Sequence, residues 1–110
     1  MQLEIHARNV RVSEKLRTHI ERKLDFALGR FENRIDRLSV HMEDVNGPRG
    51  GLDKKCRMLA SVRPSHRVVV EETNEDIYAG VARAAERMGQ AIRKRIDRRR
   101  TTARPRARPA

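Results

Sequence analysis

NEDIYAGVARAAERMGQAIRKRIDRRR, residues 74–100, decides how this chain folds. Apolar side chains recur at Ile77, Val81, Ala85, Met88, Ile92 and Ile96, the three-to-four spacing of one helical face. Opposite that stripe stand Arg83, Arg87, Lys94 and Arg98, which at ~100° per residue share a sector of roughly 60°. The stretch is a helix with one side to bury and a basic row to present. Thr73 followed by Asp76 has the capping-box pattern, and Glu75 and Asp76 suit the positive end of a helix. Gly89 in mid-helix costs up to ~1 kcal/mol relative to Ala, which points to close packing of the helix on a sheet.

Working outward, the residues before this helix supply that sheet. Leu38, Val40 and Met42 alternate with Arg37, Ser39, His41 and Glu43 over residues 35–45. From about Lys55, Cys56, Met58, Ala60 and Val62 alternate with Arg57, Ser61 and Arg63. Arg67 to Glu72 forms a further strand through Val68, Val69 and Val70, after a turn at Pro64 and Ser65. The segment 46–51 is too rich in Gly and Pro for either regular element. At the start, Leu3 and Ile5 oppose Glu4 and His6 in a half-buried strand over residues 2–7. Between the first two strands, Ser13 is a good N-cap for a helix running to about Phe31 that buries Leu16, Ile20, Leu24, Ala27, Leu28 and Phe31.

The order is β-α-β-β-β-α, an α+β domain with both helices on one face of a four-stranded sheet. A helix joins the first two strands, so they pair parallel; the later pairs are hairpins. The domain is expected over residues 1–100. Residues 101–110 alternate Arg with Pro and Ala, have no apolar period, and are expected to be a disordered basic tail.

Charge placement narrows the function. The net charge is +11, which points to a polyanionic partner. Residues 81–110 hold eleven Arg and Lys against Glu86 and Asp97, whereas residues 1–80 hold fifteen against thirteen acids. Arg outnumbers Lys twenty-one to five. Its planar fork favours phosphate, although a GC-rich genome produces the same ratio. The first helix is divided: Glu14, Glu21, Asp25 and Glu32 line one flank, and Lys15, His19, Arg22, Lys23, Phe26 and Arg30 the other. Phe26 lies off the apolar stripe. Either it packs under the following loop, or it is an exposed ring among cations, the composition that stacks a base and holds its backbone. Tyr78, at the edge of the core stripe, likewise either packs or touches nucleic acid.

Other classes fare worse. Cys56 stands alone, so no disulfide or thiolate cluster forms and a reducing, cytoplasmic compartment fits. The start MQLEIHARNV has no secretory pattern, and no apolar run approaches the ~20 residues that cross a bilayer. Ala79, Glu86, Gln90 and Asp97 border the basic row, not the large apolar residues of a membrane-surface helix. His6, His19, His41 and His66 have no ligand spacing, and no nucleophile motif is present. Glu71, Glu72, Glu75 and Asp76 read as capping and strand-edge charges. No catalytic residue, metal, cofactor, small-molecule substrate or membrane partner is expected.

Taken together, these pieces resemble the ribosome hibernation promoting factors, also called ribosome-associated inhibitors of translation. The resemblance begins at MQLEI, continues through NVRVSEKLR (residues 9–17), Lys23-Leu24 and Phe31, and is clearest at Glu75-Asp76-Ile77-Tyr78-Ala79-Gly80-Val81. That last run is similar to the family's acidic–hydrophobic–Tyr–Ala–Ala–Ile opening of its second helix. The resemblance implies a domain similar to double-stranded-RNA-binding folds. It also implies binding to ribosomal RNA of the small ribosomal subunit, in the channel of messenger and transfer RNA, and inhibition of translation by occlusion. Lys23, Arg87, Lys94 and Arg98 match basic positions of the family pattern; Arg22, Arg30 and Arg83 join them by helical geometry. Phe26 departs from a common family Lys, and Gln90 from an occasional Arg. The reading is of a short member, without the second domain through which long members pair ribosomes. The competing expectation is a generic nucleic-acid-binding regulator, or a sigma-factor modulator as the family's older description has it.

Overall fold

A computed structural model describes residues 1–45 and 53–107, with side chains as far as Asp97. The Gly- and Pro-rich connection at 46–51 lies outside the described residues. Five of the six principal elements begin within about two residues of where the pattern puts them: β1 (Gln2–Arg8), α1 (Glu14–Leu28), β2 (Ile35–Asp44), β3 (Lys54–Val62) and β4 (His66–Asn74). The sixth, α2 (Ile77–Ala107), starts three residues later than Asn74.

The sheet has the order β1-β2-β3-β4, with β1 parallel to β2 and the other pairs antiparallel. Register follows the alternation of side chains. Val40 opposes Ile5 and Met58, and Met58 opposes Val70, so one continuous apolar face forms. On it lie Leu16, Ile20, Leu24 and Leu28 from α1 and Val81, Ala84, Ala85, Met88 and Ile92 from α2, all buried. Ala27, Phe31, Ile77 and Ile96 close the margins half-buried. The core is aliphatic, as an aromatic content of 3% requires. Asn9 takes φ 59°, a left-handed conformation that Asn tolerates, and turns the chain from β1 toward α1.

Local chemistry sets the helix ends. Ser13 Oγ accepts from the Leu16 N–H at 3.1 Å, and the Arg17 N–H reaches the Ser13 carbonyl at 2.9 Å. At its other end α1 stops at Leu28, before Phe31, and tightens into a 3-10 helix over Gly29–Arg34. Gly29 is a poor helix former, and three-residue hydrogen bonding satisfies the terminal carbonyls there.

Two expectations are corrected. Thr73 does not cap α2: it is held in the β3–β4 ladder opposite Lys55. Asp76 does so, its carboxylate accepting from the Tyr78 N–H at 2.9 Å and its carbonyl from the Gly80 N–H at 2.9 Å; Asn74 Oδ1 in turn accepts from the Asp76 N–H at 3.0 Å. Gly89 packs closely against α1 and not the sheet, since a Cβ there would stand 2.9 Å from the Ala27 carbonyl oxygen. The α2 backbone runs on to Ala107. Extending an existing helix avoids the unfavourable nucleation step. Residues 108–110 lie outside the described residues.

Candidate nucleic-acid interface

The outer side of the helix layer is where the sequence-predicted cations gather. Packing of Leu16, Ile20, Leu24 and Leu28 onto the sheet turns the basic flank of α1 toward α2 and leaves Glu21 and Asp25 exposed on the other side. Close approach at Gly89 and Ala27 draws the two helices together. Beside that seam runs a groove of ≈ 330 Å³ whose walls carry Lys23 and Phe26 from α1, Arg30 from the 3-10 helix that follows it, and Glu86, Gln90 and Arg93 from α2.

Phe26 is 93% exposed. The ring is presented, not packed under the following loop; the 3-10 segment instead brings Phe31 to the core margin. A second hollow lies on the other side of Phe26, bordered by Glu14, Lys15, Thr18, His19, Arg22 and Tyr78. His19 Nε2 donates to the Tyr78 carbonyl at 2.9 Å, and the two rings meet edge-on with centroids 4.9 Å apart. Tyr78 itself is half-buried against the core, with Lys15 Nζ 5.8 Å from its ring centre. The α1–α2 joint thus underlies both hollows.

The α2 row divides. Arg83 Nε and Arg87 Nη1 both approach Glu72 at 3.5 Å, and Arg87 also donates to the Glu71 carbonyl at 2.8 Å. They remain 65% and 48% exposed, while Glu72 is 19% exposed. One carboxylate shared by two guanidinium groups leaves a single net positive charge there. These arginines therefore lie on the β4 side of α2, away from the groove. Lys94 is exposed, and the Arg98 side chain lies outside the description. Among the described residues, no ion pair engages Arg22, Lys23, Arg30 or Arg93.

Arg93 is the groove cation that sequence reasoning misses. The sector holding Arg83, Arg87, Lys94 and Arg98 excludes it. The available signal was Gly89: residues three before and four after a helical close approach share its side, which places Glu86 and Arg93 against α1.

Exposed cations flank a planar ring, the combination that holds phosphates and stacks a base, with Arg30 also lying 5.7 Å from the Phe31 ring centre and Glu86 on the facing wall. Among the described residues, no group of three or more His, Cys, Asp and Glu could hold a metal ion, and no helix is long and apolar enough to cross a membrane. Cys56 is buried under the sheet face, and burial, with a smaller effect from Glu72, pushes its thiol up to about 12.

Comparison with known proteins gives this surface a context. Residues 3–100 match the family described as sigma 54 modulation protein / S30EA ribosomal protein. A ribosome hibernation promotion factor from Picosynechococcus is 25% identical over 95 residues, covering 86% of this chain; the chain spans only 48% of that relative's length. The fold matches the N-terminal domain of Protein Y from Thermus thermophilus with TM-score 0.70 and 21% identity, covering 86% of this chain and 98% of that one. It also matches a ribosomal subunit interface protein from Coxiella burnetii with TM-score 0.71 and 17% identity, covering 88% and 99%.

Proposed function

The chain belongs to the sigma 54 modulation protein / S30EA ribosomal protein family, and on that premise we propose that its helix layer binds the small ribosomal subunit. The partner is ribosomal RNA of the messenger and transfer RNA channel. Occupying that channel inhibits translation and promotes ribosome hibernation. The reading rests chiefly on one observation: the 93%-exposed Phe26 ring beside Lys23, Arg30 and Arg93, which form no ion pair among the described residues, on one face.

The mechanism is occupancy. Lys23, Arg30 and Arg93 meet phosphates along the groove, and Arg22 meets them on the other side of Phe26. Lys94 and Arg98 extend the contact along α2. Arg83 and Arg87 join it only by exchanging the largely covered Glu72, and for Arg87 the Glu71 carbonyl, for phosphate, so they contribute less than the groove cations. RNA shape, read through phosphates and 2′-hydroxyls, supplies specificity. Residues 1–100 form the binding unit, and 101–110 add sequence-independent attraction. The protein acts in the cytoplasm, without cofactor or small-molecule substrate, and is not an enzyme.

Sedimentation with purified small subunits over a range of salt tests this. If about six to ten phosphates are neutralised, affinity falls roughly 10³–10⁵-fold between 50 and 200 mM salt. Equal affinity for duplex DNA and for small subunits would favour the nucleic-acid-binding regulator or sigma-factor modulator instead.

A further inference from the structure

The sheet face turned away from the helices carries a second arrangement of stacking and cationic groups. In cross-strand register His6 opposes His41, His41 opposes Arg57, and Arg57 opposes Glu71. The two imidazoles are stacked, with centroids 4.7 Å apart and planes 12° from parallel. β1 is an edge strand, so His6 has no strand beyond it, and its side chain is 54% exposed. The next register row, Arg8–Glu43–Lys55, sets two more cations alongside. Together these groups border a hollow of ≈ 320 Å³. Among the described residues, Arg8, Lys55 and Arg57 form no ion pair.

We propose that this hollow is a second RNA contact, seating one unpaired nucleotide with its phosphate among Arg8, Lys55 and Arg57 and its base on the free face of His6. The RNA class of the ligand rests on the function proposed above; the anion and the ring are called for by the hollow itself. Imidazole stacks on bases as other aromatic side chains do. Both contacts lie on the face opposite Phe26, so the chain would meet RNA on two sides, as a body filling an RNA-walled space must.

The charge balance makes this contact depend on protons. Arg8 on β1 and Lys55 and Arg57 on β3 face Glu43 on β2 and Glu71 on β4, a net of one positive charge; Glu4 on β1, 3.4 Å from His6 Nε2, is itself paired with Arg37 on β2 at 3.3 Å, so those two cancel. Protonation of His6 and His41 adds up to two more. Without a ligand that is opposed: burial, His6 and Arg57 hold the His41 pKa below its usual value, with Glu4 acting the other way. A bound phosphate supplies the missing counter-charge, favours the imidazolium, and raises the His41 pKa from its lowered value. Binding therefore takes up protons and tightens as pH falls through the histidine range.

The test is an NMR titration of the intact chain with a single-stranded oligoadenylate of about five nucleotides, followed at about pH 6 and about pH 8. Signals of His6, His41 and Arg57 are expected to move. Affinity at this face should be tighter at the lower pH, by up to about tenfold for each unit by which a histidine pKa rises within that range. His6→Gln with His41→Gln should remove this pH dependence, keep a dispersed spectrum, and leave the helix-face shifts unchanged. The proposal is overturned if sheet-face signals stay still, if their response is the same at both pH values, or if the double variant responds like the wild type. Inorganic phosphate alone producing the full response would also overturn it, because no base is then seated. Loss of helix-face shifts with sheet-face shifts intact would instead count against the ribosome-binding helix layer.

Discussion

The two flanks of α2 carry arginines of the same kind in opposite circumstances. Toward β4, Arg83 and Arg87 converge on Glu72 and Arg87 donates to the Glu71 carbonyl. Toward α1, Arg93 shares a groove with Lys23 and Arg30, and among the described residues none of these is in an ion pair. Helical periodicity singles out the first flank and passes over the second. Availability of a charge depends on what the neighbouring element offers it: an edge strand rich in Glu on one side, a helix flank rich in Lys and Arg on the other.

Charge reversal breaks or sharpens this contrast most directly. Lys23→Glu, Arg30→Glu and Arg93→Glu together should weaken small-subunit binding at least ~100-fold at moderate salt, because three phosphate contacts become repulsions. Arg83→Glu with Arg87→Glu should weaken it about tenfold; equal losses would erase the distinction between the flanks. Gly89→Ala tests the seam that makes the groove. Its new methyl would crowd the Ala27 carbonyl oxygen at 2.9 Å, so chemical denaturation should show a loss of about 1–3 kcal/mol, with the helices pushed apart and binding reduced.

Phe26→Ala separates presentation from packing. The ring is 93% exposed, so stability should stay within about 0.5 kcal/mol, while RNA affinity falls about tenfold or somewhat more through lost stacking. A drop in melting temperature without loss of binding would make Phe26 a structural residue. The smallest effect belongs to Glu72→Gln. Releasing Arg83 and Arg87 should tighten binding about threefold and steepen its salt dependence by up to about one ion; unchanged binding would mean that these arginines never leave β4.

Most of the fold could be read from side-chain periods. Alternation at Leu38, Val40 and Met42 and at Cys56, Met58, Ala60 and Val62 names residues that are all buried, because a covered sheet face forces every second residue inward. The divided flanks of the first helix were equally legible, since Leu16, Ile20 and Leu24 fix its rotation. What the sequence concealed depends on contacts between elements. Thr73 looks like a cap until its pairing with Lys55 is known. Gly89 marks a close approach without naming the partner. The ion pairs of Arg83 and Arg87 require Glu72, on a strand whose position relative to α2 comes only from packing. The His6–His41 stack likewise joins residues thirty-five positions apart through the β1–β2 register.

The most direct test of the central claim is a cross-link. A photoreactive phenylalanine analogue at position 26 of the intact chain, bound to small subunits at low salt, should attach to ribosomal RNA, and the same group at position 25 on the acidic flank should attach far less. Cross-links from position 26 to protein alone, or equal RNA cross-linking from both positions, would contradict a helix layer that seats RNA at Phe26.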